Sequence, residues 1–290
     1  MVRFTGADRS QPSASPHQPS PPPSSEAARR LPSDAMQISG STILVTGASG
    51  GLGTAITEEL ARQGGQVVIS ARRAEILDAL AARTGAEVMV ADLADRAAVD
   101  RLAARAASCD VLVANAAVGA DPALADMTQA DIDRSLDVNL RAPMVLAHAF
   151  ATAHQAAGTA GQVVLIGSLS GLSTSPGTRL YNATKFGLRG FALSFRQELE
   201  GTGVGCTIVE PGFIRDAGMF ADGGIDLPPG VRTKSPADVA AGVVKAITDD
   251  PGEVFVAPAE LRLAATLGGV APGFSAFVQR KLGVADRIDR

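Results

Sequence analysis

The chain has 290 residues, of which 46% are hydrophobic, and 26 Lys and Arg stand against 30 Asp and Glu for a formal net charge of −4. That is enough chain and apolar content for one large α/β domain with a buried core plus a tail. The acidic balance excludes nucleic acid as the main partner, since a phosphate backbone needs a basic surface.

Residues 1–36 form a segment of their own by composition, dense in proline and serine as in SPHQPSPPPSS. Such a stretch buries too little apolar surface to offset the entropy of ordering, so disorder is expected. No apolar core of a secretory signal precedes Arg29-Arg30, and Leu-Pro-Ser-Asp follows it rather than a hydrophobic run. The two cysteines, Cys109 and Cys206, show neither CxxC spacing nor a Cys/His cluster. This usage predicts no metal site and suits a reducing compartment, read as the cytoplasm.

From Ser41 the pattern alternates. Short apolar runs at Ile43–Val45, Gln66–Ser70, Glu87–Ala91, Val111–Ala114, Gln162–Ile166 and Cys206–Val209 read as strands, with Val254–Ala257 as a last one. Runs this continuous fit parallel strands covered on both faces. Helical stretches rich in Ala, Leu, Glu and Arg lie between them. Thr128 with Asp131 resembles a capping box that opens a long helical region towards Ala157. Ser235-Pro236 is an N-cap followed by proline at the first helical position, opening a helix to about Thr248. The alternation predicts a single doubly wound parallel sheet over residues 37–257. Residues 258–290 read as a helical extension of two amphipathic pieces divided by Pro272. Its apolar stretch, broken by proline and glycines, is too short to span a bilayer.

Thr46–Gly53 reads TGASGGLG between the first strand and the first helix. Gly47, Gly51 and Gly53 permit a tight turn and close approach of backbone to a pyrophosphate. The helix behind them offers free N–H groups and a positive dipole end. The GxxxGxG spacing resembles the TGxxxGxG signature of the short-chain dehydrogenase/reductase family. The resemblance extends over about Gln37–Ala257 and implies a Rossmann-like domain, with Ser49 and Leu52 also lining the cofactor.

Further positions test that resemblance. The second strand ends Ser70-Ala71-Arg72-Arg73. An acid there would bind a ribose 2′-hydroxyl and repel a 2′-phosphate. Ala71 stands where NAD-preferring relatives carry Asp, and Arg72 offers a guanidinium to a phosphate. NADP(H) is therefore the expected cofactor, with NAD(H) as a lesser alternative, and Ser70 or Arg73 as an assistant. Asp92 and Leu93 match the family's adenine contacts, although Asp92 also reads as an ordinary helix cap. Asn115 matches the second Asn of the family's NNAG motif, but Ala114 and Ala117 replace the first Asn and the Gly.

The sole tyrosine, Tyr181, precedes Lys185 by four places in YNATK. With so few lysines, that spacing arises by chance at roughly one per cent. On a helix the two share a face. A free phenol is a poor base at neutral pH, and a nearby ammonium stabilises its anion. Ser168 lies thirteen places before Tyr181 in IGSLSG. The resemblance makes Tyr181 the proton carrier and Ser168 the hydrogen-bond donor to the substrate oxygen. It gives Lys185 a second contact, to the nicotinamide ribose. Asn139 in LDVNL completes the set, on a helix that in relatives is locally distorted and supports a water. Pro211, Gly212 and Ile214 match the turn beside the nicotinamide, although Asp216 stands near the place of a usual Thr.

The resemblance thus implies hydride transfer between nicotinamide and a carbonyl or alcohol. The alternative is a non-catalytic NADP-binding regulator, which the joint presence of Ser168, Tyr181 and Lys185 disfavours. Met219, Phe220, Ile225 and Leu227 suggest an apolar lid over residues 216–234 and a hydrophobic or mixed substrate. The helical extension reads as docking onto the domain or a subunit, with membrane contact as the sharper alternative. A homo-oligomer is expected from the family.

Overall fold

The computed structural model describes residues 36–119, 121–216 and 232–281. Seven parallel strands form one sheet in the order β3-β2-β1-β4-β5-β6-β7. They are β1 Thr42–Thr46, β2 Gln66–Ala71, β3 Glu87–Val90, β4 Val111–Ala114, β5 Gly161–Ile166, β6 Val204–Pro211 and β7 Glu253–Val256. Every pairing is parallel, as crossover helices require. This is the doubly wound, Rossmann-like sheet that the alternation predicts. The central strands are buried along their length, and β5 has no residue open to solvent.

The crossovers divide between two faces. One face holds α3 (Arg96–Ala106), α5 (Ala142–Ala157) and α6 (Arg179–Glu198), whose buried side chains form one core cluster around Leu102, Leu146, Phe150 and Leu188. The other holds α1 (Gly51–Arg62), α2 (Ala74–Thr84) and α7 (Pro236–Thr248), packed around Ile56, Leu77 and Val243. The connection from β1 goes to the second face and that from β4 to the first. A crevice therefore opens between the C-terminal ends of those two adjacent strands.

Local chemistry sets the helix ends. Thr128 and Asp131 form a reciprocal capping box at the start of α4 (Gln129–Leu136). Ser235 and Asp238 form another ahead of α7, with Pro236 in the first turn. Between α4 and α5 the chain makes one π-helical turn, Asp137–Arg141, so the region from Gln129 to Ala157 is one helix with a distortion centred on Asn139. α8 (Ala259–Val270) and α9 (Pro272–Lys281) follow β7, and Pro272 starts the second. Leu263, Leu267, Val270, Phe274 and Phe277 on these helices are exposed. The apolar lid residues Met219, Phe220, Ile225 and Leu227, and the Pro/Ser-rich segment through residue 35, lie outside the described residues. Among the described residues no helix is long and apolar enough to cross a membrane.

Candidate active site

The crevice is floored by the glycine turn. Gly47 has φ 70°, in the left-handed region. A Cβ on Gly47 would stand 2.6 Å from the Ala116 Cα, and one on Gly53 would stand 2.2 Å from the Gly47 carbonyl oxygen. Both positions therefore exclude any side chain. Gly50 caps α1 with no side-chain bond, and the first turn carries no acid. The open N–H groups of Gly51, Leu52 and Gly53 line the crevice, where an anion is favoured. Gly53→Ala is expected to lower stability by about 1–3 kcal/mol, because the clash is with backbone. It should also abolish the rise in melting temperature that NADPH gives the parent, which thermal unfolding with and without cofactor checks.

Thr46 and Asn115 tie this turn to β4. The Thr46 Oγ1 accepts the N–H of Asn115 at 3.1 Å and of Ala116 at 3.2 Å, while Asn115 Nδ2 donates to the carbonyls of Thr46 (3.0 Å) and Gly47 (3.2 Å). The single Asn retained from the expected motif thus braces the turn. Ser49 is held from the other side by Arg73, whose Nη2 donates to the Ser49 carbonyl at 2.7 Å. Arg72 is exposed on the crevice wall. Asp92 and Leu93 line the same wall. Asp92 does not cap α3, because Asp95 does so by accepting the Ala97 N–H at 2.9 Å. Asp92 instead accepts the Ala94 N–H at 3.0 Å and lies 3.7 Å from Arg134 on α4.

Two residues lining this crevice carry a buried polar atom with no hydrogen-bond partner among the described residues: Ser70 Oγ and Arg134 Nη2. Buried polar groups are normally satisfied, so an orphaned hydroxyl and guanidinium nitrogen here fit a polar, anionic ligand. With the glycine turn and Arg72, they make the crevice suitable for a dinucleotide phosphate and its ribose. Arg134 had no sequence signal. It is one of several arginines on helices, and only the fold brings it across to Asp92.

The second half of the site lies at the ends of β5 and β6. Ser168 follows β5 and caps a short 3-10 turn, Leu169–Gly171, its Oγ accepting the Ser170 N–H at 3.1 Å. Tyr181 and Lys185 stand one turn apart on α6, with Nζ 5.5 Å from the centre of the phenol ring. The Ser168 hydroxyl interacts with the Tyr181 phenol. Lys185 is buried, and its Nζ donates to the Ile166 carbonyl at 2.7 Å. Burial pushes this ammonium down to about 8, against the favourable charge of Glu210. Burial likewise pushes the Tyr181 phenol up to about 12, the Ser168 hydrogen bond opposing that rise.

The distorted helix delivers Asn139 to the same place. Its side chain exchanges two hydrogen bonds with Val118, accepting its N–H at 2.7 Å and donating to its carbonyl at 2.8 Å. It also donates to Thr184 Oγ1 at 3.3 Å, and the Thr184 hydroxyl donates to the Tyr181 carbonyl at 2.9 Å. The hydroxyl of Thr184, where the family usually has Ser, therefore joins Asn139 to the Tyr181 helix.

Asp121, which the sequence did not single out, caps α6 from 59 residues away. Its carboxylate accepts the N–H of Leu180 at 2.6 Å and of Tyr181 at 3.3 Å. Pro211 ends β6, and the Gly212 N–H donates to Val256 at 3.1 Å. The Ile214 side chain is buried in the core, and its backbone bridges to Lys234. Among the described residues no cluster of His, Cys, Asp or Glu could hold a metal ion.

A family model described as short chain dehydrogenase matches residues 41–224. A 3-oxoacyl-[acyl-carrier-protein] reductase of Rickettsia conorii is 34% identical over 182 residues, covering 62% of this chain and 75% of the relative. The ketoacyl reductase HetN of Nostoc is 31% identical over 263 residues, covering 86% of this chain and 91% of the relative. Among solved structures, a short-chain dehydrogenase from Sphingobium yanoikuyae in complex with NADPH is similar at 28% identity. It aligns with a TM-score of 0.69 over 81% of this chain and 95% of its own.

Proposed function

The chain belongs to the short-chain dehydrogenase family, and from that premise we propose that it is an NADP(H)-dependent oxidoreductase of carbonyls and alcohols, with Tyr181, Lys185, Ser168 and Asn139 as its working groups. The observation that carries this reading is the convergence of Ser168, Tyr181 and a buried Lys185 at the C-terminal ends of the strands, beside the glycine turn.

A nicotinamide, when bound, supplies a hydride to the carbonyl carbon or accepts one from the alcohol. The residues of this chain handle the oxygen and its proton. Ser168 donates a hydrogen bond to the substrate oxygen and stabilises charge developing there. Tyr181 gives its proton to that oxygen in reduction and removes it in oxidation. The Lys185 ammonium offsets the phenolate left behind. The Asn139 side chain is engaged by Val118 and Thr184, so we assign a proton-relay water to its main-chain carbonyl in the π turn. Pro211, Gly212 and Ile214 would flank the nicotinamide, Ile214 through its backbone.

Arg72 and the absence of an acid at Ala71 support NADPH over NADH. The NADPH complex of the Sphingobium relative supports the same choice. Ketones are the substrates to screen, with 3-oxoacyl thioesters first, because the Rickettsia and Nostoc relatives are ketoacyl reductases. Ile132 and Leu136 on α4 and Phe186 on α6 are exposed apolar side chains, which supports a homo-oligomer formed through those helices. Two free, buried cysteines support a reducing compartment such as the cytoplasm.

Cofactor fluorescence titration tests the assignment, with no tryptophan in the chain to add background. NADPH should bind at least about tenfold more tightly than NADH, as expected for one charge-assisted contact. Equal affinities, or a preference for NADH, would overturn the cofactor assignment.

A further inference from the structure

Behind the catalytic groups lies a carboxylate that the reaction outlined above does not use. Glu210 sits on β6 with no exposed surface. Its Oε2 accepts the Ser168 N–H at 2.5 Å. Its Oε1 has no hydrogen-bond partner among the described residues and lies 3.8 Å from Arg189 Nε. The same Arg189 nitrogen is 2.8 Å from Glu253 on β7, the edge strand. Arg189 is on α6, one turn after Lys185. Gly167 makes room for this arrangement, since a Cβ there would stand 2.3 Å from Glu210 Oε2.

A carboxylate taken wholly out of water is costly unless donors and opposite charges surround it. Here the serine amide donates directly, the Arg189 guanidinium stands 3.8 Å away and the Lys185 ammonium acts through its field, all three opposing the burial that favours the neutral acid. We propose that Glu210 is a positioning residue: its carboxylate anchors the Ser168 backbone beneath the substrate oxygen and provides the anionic neighbour of Lys185, while Arg189 and Glu253 hold it from the sheet edge. The proposal rests on the Tyr181, Lys185 and Ser168 reading above.

The charge has a consequence for pH. The titratable and charged groups coupled to this carboxylate are Lys185, Tyr181 and Arg189 on α6 and Glu253 on β7. Burial pushes the Glu210 carboxyl up to about 8, so its charge is present on the alkaline side, where it opposes the burial that favours neutral Lys185. Removing the charge makes Lys185 lose its proton at lower pH. Carbonyl reduction, which needs the ammonium, then fades earlier on the alkaline side.

The test is Glu210→Gln, whose amide oxygen can still accept the Ser168 N–H but carries no charge. NADPH affinity, melting temperature and the pH profile of kcat for ketone reduction are compared with the parent and with Tyr181→Phe. The alkaline limb of Glu210→Gln should move down by about one pH unit, as loss of a neighbouring opposite charge implies, with NADPH affinity kept. Arg189→Gln, at a partly exposed site, should move the limb the same way by less, because Glu210 is then less readily ionised. An alkaline limb unmoved in both variants, even with kcat uniformly lowered, would reduce Glu210 to a structural role and overturn the proposal. A parent without turnover on any ketone would instead overturn the catalytic reading on which the proposal stands.

Discussion

Tyr181→Phe should bind NADPH within about twofold of the parent and lose about a thousandfold in kcat, the middle of the range for removing a positioned proton donor. The substitution deletes one oxygen from a ring that otherwise keeps its place on α6. Lys185 retains its bond to the Ile166 carbonyl, and the Asp121 cap on the helix start is untouched. What disappears is the group that exchanges a proton with the substrate oxygen. Ser168 remains as a hydrogen-bond donor but lacks an ammonium one helical turn away to stabilise its anion. Single-turnover absorbance at the reduced-cofactor band, together with a binding titration, separates the two effects. Turnover retained within tenfold would place the proton transfer elsewhere. A large loss of NADPH affinity would mean that the phenol serves chiefly in binding.

The paired substitution Ala71→Asp with Arg72→Leu should weaken NADPH binding on the order of a hundredfold and leave NADH binding the same or tighter. One charge-assisted hydrogen bond accounts for about 1.5–3 kcal/mol of that change, and the new carboxylate adds repulsion of a 2′-phosphate. The design exploits the location of both residues on the crevice wall, Ala71 at the last position of β2 and Arg72 just beyond it. Arg73 is left in place because it braces Ser49 and hence the glycine turn. An unchanged ratio of NADPH to NADH affinity would move the phosphate contact to other groups, with Arg73 and Arg134 the next to examine.

Most of the scaffold was legible because each signal is local. Val111–Ala114 is a strand in both sequence and structure, set by a continuous apolar run between a helix and a loop. Thr128 with Asp131 and Ser235-Pro236 marked helix starts because capping chemistry acts over three or four residues. β6 proved longer than its apolar run, from Val204 to Pro211 rather than Cys206 to Val209. Its ladders to β5 and β7 carry Gly205, Glu210 and Pro211, residues with little intrinsic preference for strands. The helix distortion at Asn139 was implied by family resemblance alone, since a π turn leaves no mark in hydrophobic periodicity.

The groups that support the site were less legible, because their partners are distant in sequence. Asp121 looked like one acid among several in a loop, yet it caps the helix that carries Tyr181. Arg134 meets Asp92 only through the fold. Glu210 did carry a signal: it is an ionisable residue ending an apolar strand that is buried on both faces. Such a group needs partners of opposite charge, and its neighbours turned out to be Ser168, Arg189 and Lys185.

The most direct test of the central claim follows the hydride itself. NADPH deuterated at nicotinamide C4, on either face, is incubated with the protein and a panel of ketones that includes a 3-oxoacyl thioester, and the products are read by mass spectrometry. The account predicts an alcohol carrying deuterium at the former carbonyl carbon from one labelled face, and no such product from Tyr181→Phe in the same time. Tight NADPH binding with no deuterated alcohol from any ketone would contradict it and favour a non-catalytic NADP-binding role.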